Sequence, residues 1–241
     1  MQIKRLVIPL QRQTLSSDVY QQLKELLMSG RMMPGQQLSL RSTAEALNVS
    51  VMPVRDATQW LVAEKALEVG PSRIIRVPTM TEGQFREISS IRINLECLAT
   101  EQACIRINDA SLGEIEALNA AFDNELAQDD PDGTQLISIN KDLHFAIYKC
   151  AEMPMLLQLI EALWLRVGPI LNYDLRSGSK RLETRAIVDN HTRLVKTLNH
   201  HSHLVHALRT RDIDAAKAAL KSDIENAAEF IVSSGSLAVN V

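Results

Sequence analysis

The stretch Ala44-Glu45-Ala46-Leu47-Asn48-Val49-Ser50-Val51-Met52-Pro53-Val54-Arg55-Asp56-Ala57 reads as a helix end, a tight link and a second helix start. Asn48 tolerates the left-handed backbone that so short a link needs. Ser50 is a helix N-cap residue. Pro53 falls in the first turn, where a missing N–H costs nothing because those donors have no intrahelical partner. The spacing predicts a helix from Ser50 to Ala63 with Val54, Ala57 and Leu61 inward and Trp60 beside them. Val51, Met52, Arg55, Asp56 and Gln59 are then left facing outward. Upstream, a short helix is expected from Ser39 to Leu47, although Ser42-Thr43-Ala44-Glu45 also spells a capping box. Before it, Ser16-Ser17-Asp18 offers caps, and Val19, Leu23, Leu26 and Leu27 form one helical face. Gly30 is placed to stop that helix and Pro34-Gly35 to turn the chain. Downstream, Ala66–Val69 and Ile74–Val77 read as two strands around Gly70-Pro71-Ser72-Arg73. Three helices followed by a hairpin make residues 1–78 a winged helix-turn-helix.

The composition is compatible with that reading. The chain has 241 residues, 46% of them hydrophobic and only 9 Gly and 8 Pro, which excludes collagen-like and disordered classes. No run of about 18 apolar residues and no secretory leader is recognisable, and three Cys cannot form a disulfide framework. The expectation is a cytoplasmic protein with no membrane segment. The net charge of −3 hides a split. Residues 1–78 carry ten Lys/Arg against six Asp/Glu, whereas the remainder is acidic, so only the head is suited to a polyanion. Ser50 and the free N–H groups of its helix could hold a phosphate. Arg55, about one turn further, reaches a phosphate or a guanine edge. Arg73, at the hairpin tip, is placed for the neighbouring backbone or minor groove.

Residues 79–241 read as an all-helical body. Helices are expected over 82–107, from Ser111, over 134–152 and from Pro154, with Gly168-Pro169 ending or kinking the last of these. Arg176 to Lys180 reads as a loop, and a helix over 181–209 places Ile187, His191, Leu194, Leu198, His201, Val205 and Leu208 on one stripe. Asp212 caps a final helix whose stripe is Ala216, Leu220, Asp223, Ala227 and Phe230 or Ile231. A carboxylate in an apolar row must be paired, protonated or bound to a metal. Asn140 and His144 share a helix face, and His201 and Asp223 can complete a divalent-metal set. The competing reading is that each inward His is a hydrogen-bonded core residue. Arg92 suits a carboxylate effector or, equally, an ion pair with Glu96 at i+4. Cys97, Cys104 and Cys150 lack ligand spacing and read as packing.

The head resembles the DNA-binding domain of GntR-family bacterial transcription regulators, through Val19-Tyr20, Ser29-Gly30-Arg31, Pro34-Gly35, Ala44–Ser50 and Pro53–Ala57. The body is similar to the FCD effector domain of the FadR-type branch, through Arg92–Glu96 and His201, Leu204, Ala207–Arg209, Asp212 and Ala216. The resemblance implies DNA contacts from Arg41, Ser50 and Arg55. It implies a homodimer, more often a repressor, on an inverted-repeat operator, with a small organic acid as effector. It also implies a metal, Zn²⁺ first and Ni²⁺ or Mn²⁺ as alternatives. Asn140 stands where the family has an Asp ligand and Asp223 where it has its last His; His191 is a substitute ligand. Val51, Ile74, Thr43 and Thr58 also depart from the family pattern. No HExxH, GxSxG or P-loop occurs, so the chain is not expected to be an enzyme. The alternatives are a helical metalloenzyme using the same four residues, or a regulator with a non-sensing body.

Overall fold

A computed structural model of the chain describes residues 15–129, 131–171, 200–235 and 237–238. The loop expected at 176–180, His191 and the first part of the 181–209 stripe lie outside these residues.

In the head, α1 (Leu15–Met28) buries Val19, Leu23, Leu27 and Met28. Ser16 lies inside its first turn and donates its hydroxyl to Asp56 at 3.0 Å, so it ties α1 to α3 and does not cap. The chain reverses at Met33–Gln36, where the Gln36 N–H donates to the Met33 carbonyl at 2.9 Å. Pro34 presets the first corner of that turn, and Gly35 takes the second at φ +77°, which a side chain would disfavour. β1 (Gln37–Leu38) leads to α2 (Leu40–Leu47), whose N-cap is Ser39, accepting from the Ser42 N–H at 3.3 Å. The earlier of the two expected starts is therefore the real one. Asn48 closes α2 in the left-handed conformation at φ +52°. α3 (Val51–Ala63) then buries Pro53, Val54, Ala57, Thr58 and Leu61.

Two orientation expectations need correction. Trp60 is 44% exposed and packs its edge against Tyr20, with ring centroids 5.9 Å apart. Asp56 is half-buried because it accepts from Ser16. The wing also has one strand more than expected. β2 (Glu68–Val69) and β3 (Ile75–Arg76) pair antiparallel, and β1 adds to the other edge of β3, giving the order β1-β3-β2. Two residues carry too little alternation to announce a strand, so β1 was invisible in the sequence.

The body begins with α4 (Glu82–Arg106), opened by a reciprocal capping box between Thr81 and Gln84. α5 (Asp109–Leu126) starts two residues before the expected Ser111, because Asn108 is the cap and accepts from the Ser111 N–H at 2.9 Å. α6 (Gly133–Lys149) is capped by Asp132. α7 (Pro154–Leu171) passes through Gly168-Pro169 without ending there. By length and composition α7 could cross a membrane, but Leu156, Ile160, Trp164, Leu165, Val167 and Ile170 are buried in the protein. α8 (200–210) and α9 (Ile213–Ser234) complete the described bundle, with Asp212 capping α9 as expected and Ile231 taking the inward place over Phe230.

Head and body share one continuous apolar core that runs from Val19 and Leu61 to Tyr148 and Leu220. Each fully buried Leu in it stabilises the fold by about 1.5–3 kcal/mol relative to exposure. α1 lies against α7, and the contact is sealed by ion pairs of Lys24 with Glu161 (2.6 Å) and of Glu25 with Lys141 of α6.

Candidate functional site

The outer face of α3 carries Val51, Met52, Arg55 and Gln59, all exposed as the periodicity requires. Arg55 has no ion-pair partner among the described residues. Ser50 occupies the N-cap position, yet its side chain makes no capping bond. Its hydroxyl is therefore not spent on the cap, and the first-turn N–H groups of α3 have no intrahelical partner, donors that suit an anion. Arg41 on α2 is exposed and only loosely paired with Glu45 at 3.2 Å, a contact of little energetic weight in water. Arg73 is exposed at the wing tip, where Ser72 and Arg73 both adopt left-handed backbone at φ +58° and +60°. Non-glycine residues in that region carry strain, which concentrates at functional loops. The four head residues singled out from the sequence thus lie on exposed backbone.

A second centre lies inside the bundle. His144 of α6, His201 of α8 and Asp223 of α9 are all buried, and their ligand atoms lie within 4.8 Å of one another. His144 Nε2 is 3.3 Å from Asp223 Oδ2, and His201 Nε2 is 4.0 Å from Oδ1. His201 is fully enclosed, with the Phe122 ring edge-on at 4.9 Å. Neither of its ring nitrogens has a hydrogen-bond partner among the described residues. Burial pushes the His201 imidazolium down to about 4, so the ring is neutral at pH 7. Burial is the largest effect and raises Asp223, but the His144, His201 and His200 rings together outweigh it and bring the acid down to about 2. The set is therefore neutral imidazole plus carboxylate, with an orphaned lone pair facing the group. That donor chemistry fits a divalent transition metal.

Asn140 sits one turn before His144, half-buried, and its amide is not engaged by another described residue. His200 is turned away and meets Asn226 Nδ2 at 2.6 Å. His203 and His206 are exposed.

Behind the triad lies a hub. The Glu96 carboxylate is fully buried and accepts from Arg92 Nε (2.7 Å), Arg92 Nη2 (3.3 Å), the Tyr148 hydroxyl (2.5 Å) and Trp164 Nε1 (2.9 Å). Burial and the Glu96 charge raise Tyr148 well above its ordinary value, so the phenol keeps its proton. Because that proton goes to Glu96, the Tyr148 oxygen accepts from His144 Nδ1 at 3.0 Å. His144 is thereby held with its proton on Nδ1 and its Nε2 toward Asp223, the tautomer a metal ligand needs. Arg92 belongs to this hub: it is buried, paired with Glu96 and stacked 4.7 Å from the centre of the Trp164 ring. Tyr148 was readable as the i+4 neighbour of His144. Trp164 gave no signal in its Leu-rich helix.

A winged helix-turn-helix built onto a helical bundle with an interior ligand centre defines a ligand-responsive DNA-binding regulator. Residues 15–77 match the family described as bacterial regulatory proteins, gntR family, and residues 87–226 match the FCD domain. The chain belongs to the GntR family of transcription regulators and carries an FCD domain; it is not an enzyme. It is 35% identical over 185 residues to the HTH-type transcriptional regulator McbR of Escherichia coli, a match covering 77% of this chain and 82% of McbR. The structure of E. coli McbR superposes with a TM-score of 0.79 at 27% identity, covering 92% of this chain and 99% of that one. The regulator YdhC of Bacillus subtilis is 27% identical over 216 residues, covering 86% of this chain and 93% of YdhC. A GntR regulator from Rhodococcus sp. RHA1 shares the fold, with a TM-score of 0.70 at 21% identity over 90% of this chain and 97% of that one.

Proposed function

We propose that the protein is a cytoplasmic, homodimeric repressor that binds an inverted-repeat operator. Residues 1–78 supply the DNA-binding unit and residues 79–241 the sensing and dimerising one. Each head would set α3 into the major groove, with Arg55 on a base edge or phosphate and Ser50 with the helix N-terminus on a phosphate. Arg41 and Arg73 would follow the flanking backbone. The body would hold one divalent metal, Zn²⁺ first and Ni²⁺ or Mn²⁺ as alternatives, on His144, His201 and Asp223, with the Asn140 oxygen as a fourth donor. Bound there, the metal would supply a Lewis-acidic anchor for the carboxylate of a small organic acid. Arg92 uses two of its five N–H donors on Glu96 and offers the rest to the same acid.

The carrying observation is His201: a neutral, fully buried ring whose two nitrogens have no hydrogen-bond partner among the described residues, beside a carboxylate and a second imidazole. Such a group costs free energy unless something occupies the site. The test is equilibrium dialysis against Zn²⁺, together with fluorescence anisotropy on a duplex selected from a random pool. One metal per chain, lost in His201→Ala, and an operator affinity that differs between Zn²⁺ and chelator support the reading. Stoichiometric binding that survives His201→Ala would overturn the site.

A further inference from the structure

The polar chain behind the triad does not stop at Glu96. Trp164 donates its indole N–H to Glu96 at 2.9 Å, and its ring lies 5.7 Å from the His144 ring, centroid to centroid. One turn further along α7 on the same face is Gly168. A Cβ at Gly168 would lie 2.5 Å from the Leu27 carbonyl oxygen and 2.9 Å from Met28 Cα. α7 and the last turn of α1 thus touch backbone to backbone, and only glycine permits it. α1 is the helix that packs α3 in place, through the shared core and the Ser16–Asp56 bond. The same α1 is tied to α7 by Lys24–Glu161 and to α6, which carries His144, by Glu25–Lys141.

From this geometry we infer that Trp164 and Gly168 are the coupling residues of the regulator. Occupancy of the His144–His201–Asp223 site is read by Tyr148 and Glu96, passed through the Trp164 N–H to α7, and delivered to the DNA-binding head where Gly168 meets Leu27 and Met28. The inference rests on the metal-responsive reading above. Packed interfaces of this kind have discrete arrangements and do not deform smoothly, so a small change in the position of Trp164 must be answered by α1. α7 has no compliant layer at Gly168 in which to absorb a shift.

Thermodynamic reciprocity supplies a two-sided test. In the wild type, the factor by which Zn²⁺ changes operator affinity must equal the factor by which operator changes Zn²⁺ affinity. Trp164→Phe removes the N–H donor and the five-membered ring while keeping a six-membered aromatic ring at the position. We expect both coupling factors to fall to near one, each measured against the variant's own Zn²⁺ affinity without DNA and operator affinity in chelator. Gly168→Ala forces α1 away from α7, and the expected result is an operator affinity that ignores Zn²⁺ and is altered even in chelator. Both variants are first checked for wild-type helical content. Coupling factors in a folded Trp164→Phe that match the wild type would overturn the relay and leave the metal reading intact. A wild type whose operator affinity ignores Zn²⁺ would overturn both.

Discussion

His201 shows at one position how burial fixes chemistry. Its ring is neutral because the surroundings expel the charge, with the native group titrating at about 4 against an ordinary value of 6.5. In chelator, the unfolded chain takes up this proton first as the pH falls, so the His201 contribution to stability is complete above 6.5. It is lost between 6.5 and about 4, an amount of up to roughly 3 kcal/mol. Asp223 acts in a lower window: its contribution is held above 3.8 and lost as the pH drops toward about 2. Urea denaturation of wild type and His201→Leu at pH 7.5 and 4.5 checks the first window, and the wild type should lose the greater stability. On the head, Arg55 is an exposed cation on the outer face of α3. Arg55→Ala should weaken operator binding by about 1–3 kcal/mol if it reads a guanine edge and relax preference at that base pair. If it holds a phosphate, the loss should be uniform across sequences and the salt slope should fall by about one. Anisotropy titrations at several salt concentrations separate the two.

At the scale of elements, the wing joins strain to a cation. Ser72 and Arg73 in succession adopt left-handed backbone at the wing tip, the conformation glycine takes most readily. Arg73→Gly should relieve about 0.5–1 kcal/mol of strain yet weaken DNA binding, whereas Arg73→Ala keeps the strain and loses the same contact. Thermal melts with operator titrations on both variants check that split. The elements legible in the sequence are those whose signal is local. Asn48 at the link, Thr81 with Gln84, and Asp212 each mark a boundary by a hydrogen bond made within three residues. What escaped was set by distant partners. Ser16 looks like a cap until Asp56, forty residues on, claims its hydroxyl. Arg92 pairs with Glu96 as one of its two readings allowed, but the convergence of Trp164 and Tyr148 on the same carboxylate left no local mark. His201 and Asp223 were legible because each lies in an apolar stripe, and His144 because it shares a helix face with Asn140. Their mutual geometry was not, since three helices from separate parts of the chain supply them.

At the scale of the molecule, one head offers few phosphate contacts, and two heads on a two-fold axis read both halves of an operator. In the proposed dimer the body would supply the surface for that pairing. α4 and α7 pack side by side and run antiparallel, since Arg92 stacks on Trp164 while Arg106 donates to the Ala151 carbonyl at 3.0 Å. Leu98 and Ile105 of α4 and Met155 and Leu159 of α7 therefore lie toward the same end of the pair, and all four are exposed, Met155 by 72%. Exposed apolar residues of this kind are where the proposed dimer would find apolar area to bury. If these residues pair across the proposed two-fold axis, Ile105→Glu should give a monomer in sedimentation equilibrium, because the new charge would meet its own copy. The buried triad does not include Ile105, so Zn²⁺ binding per chain should remain. Operator affinity should fall to that of a single head, with a half-site duplex bound as well as the full inverted repeat. A dimer that persists in Ile105→Glu would move the interface to another face of the bundle.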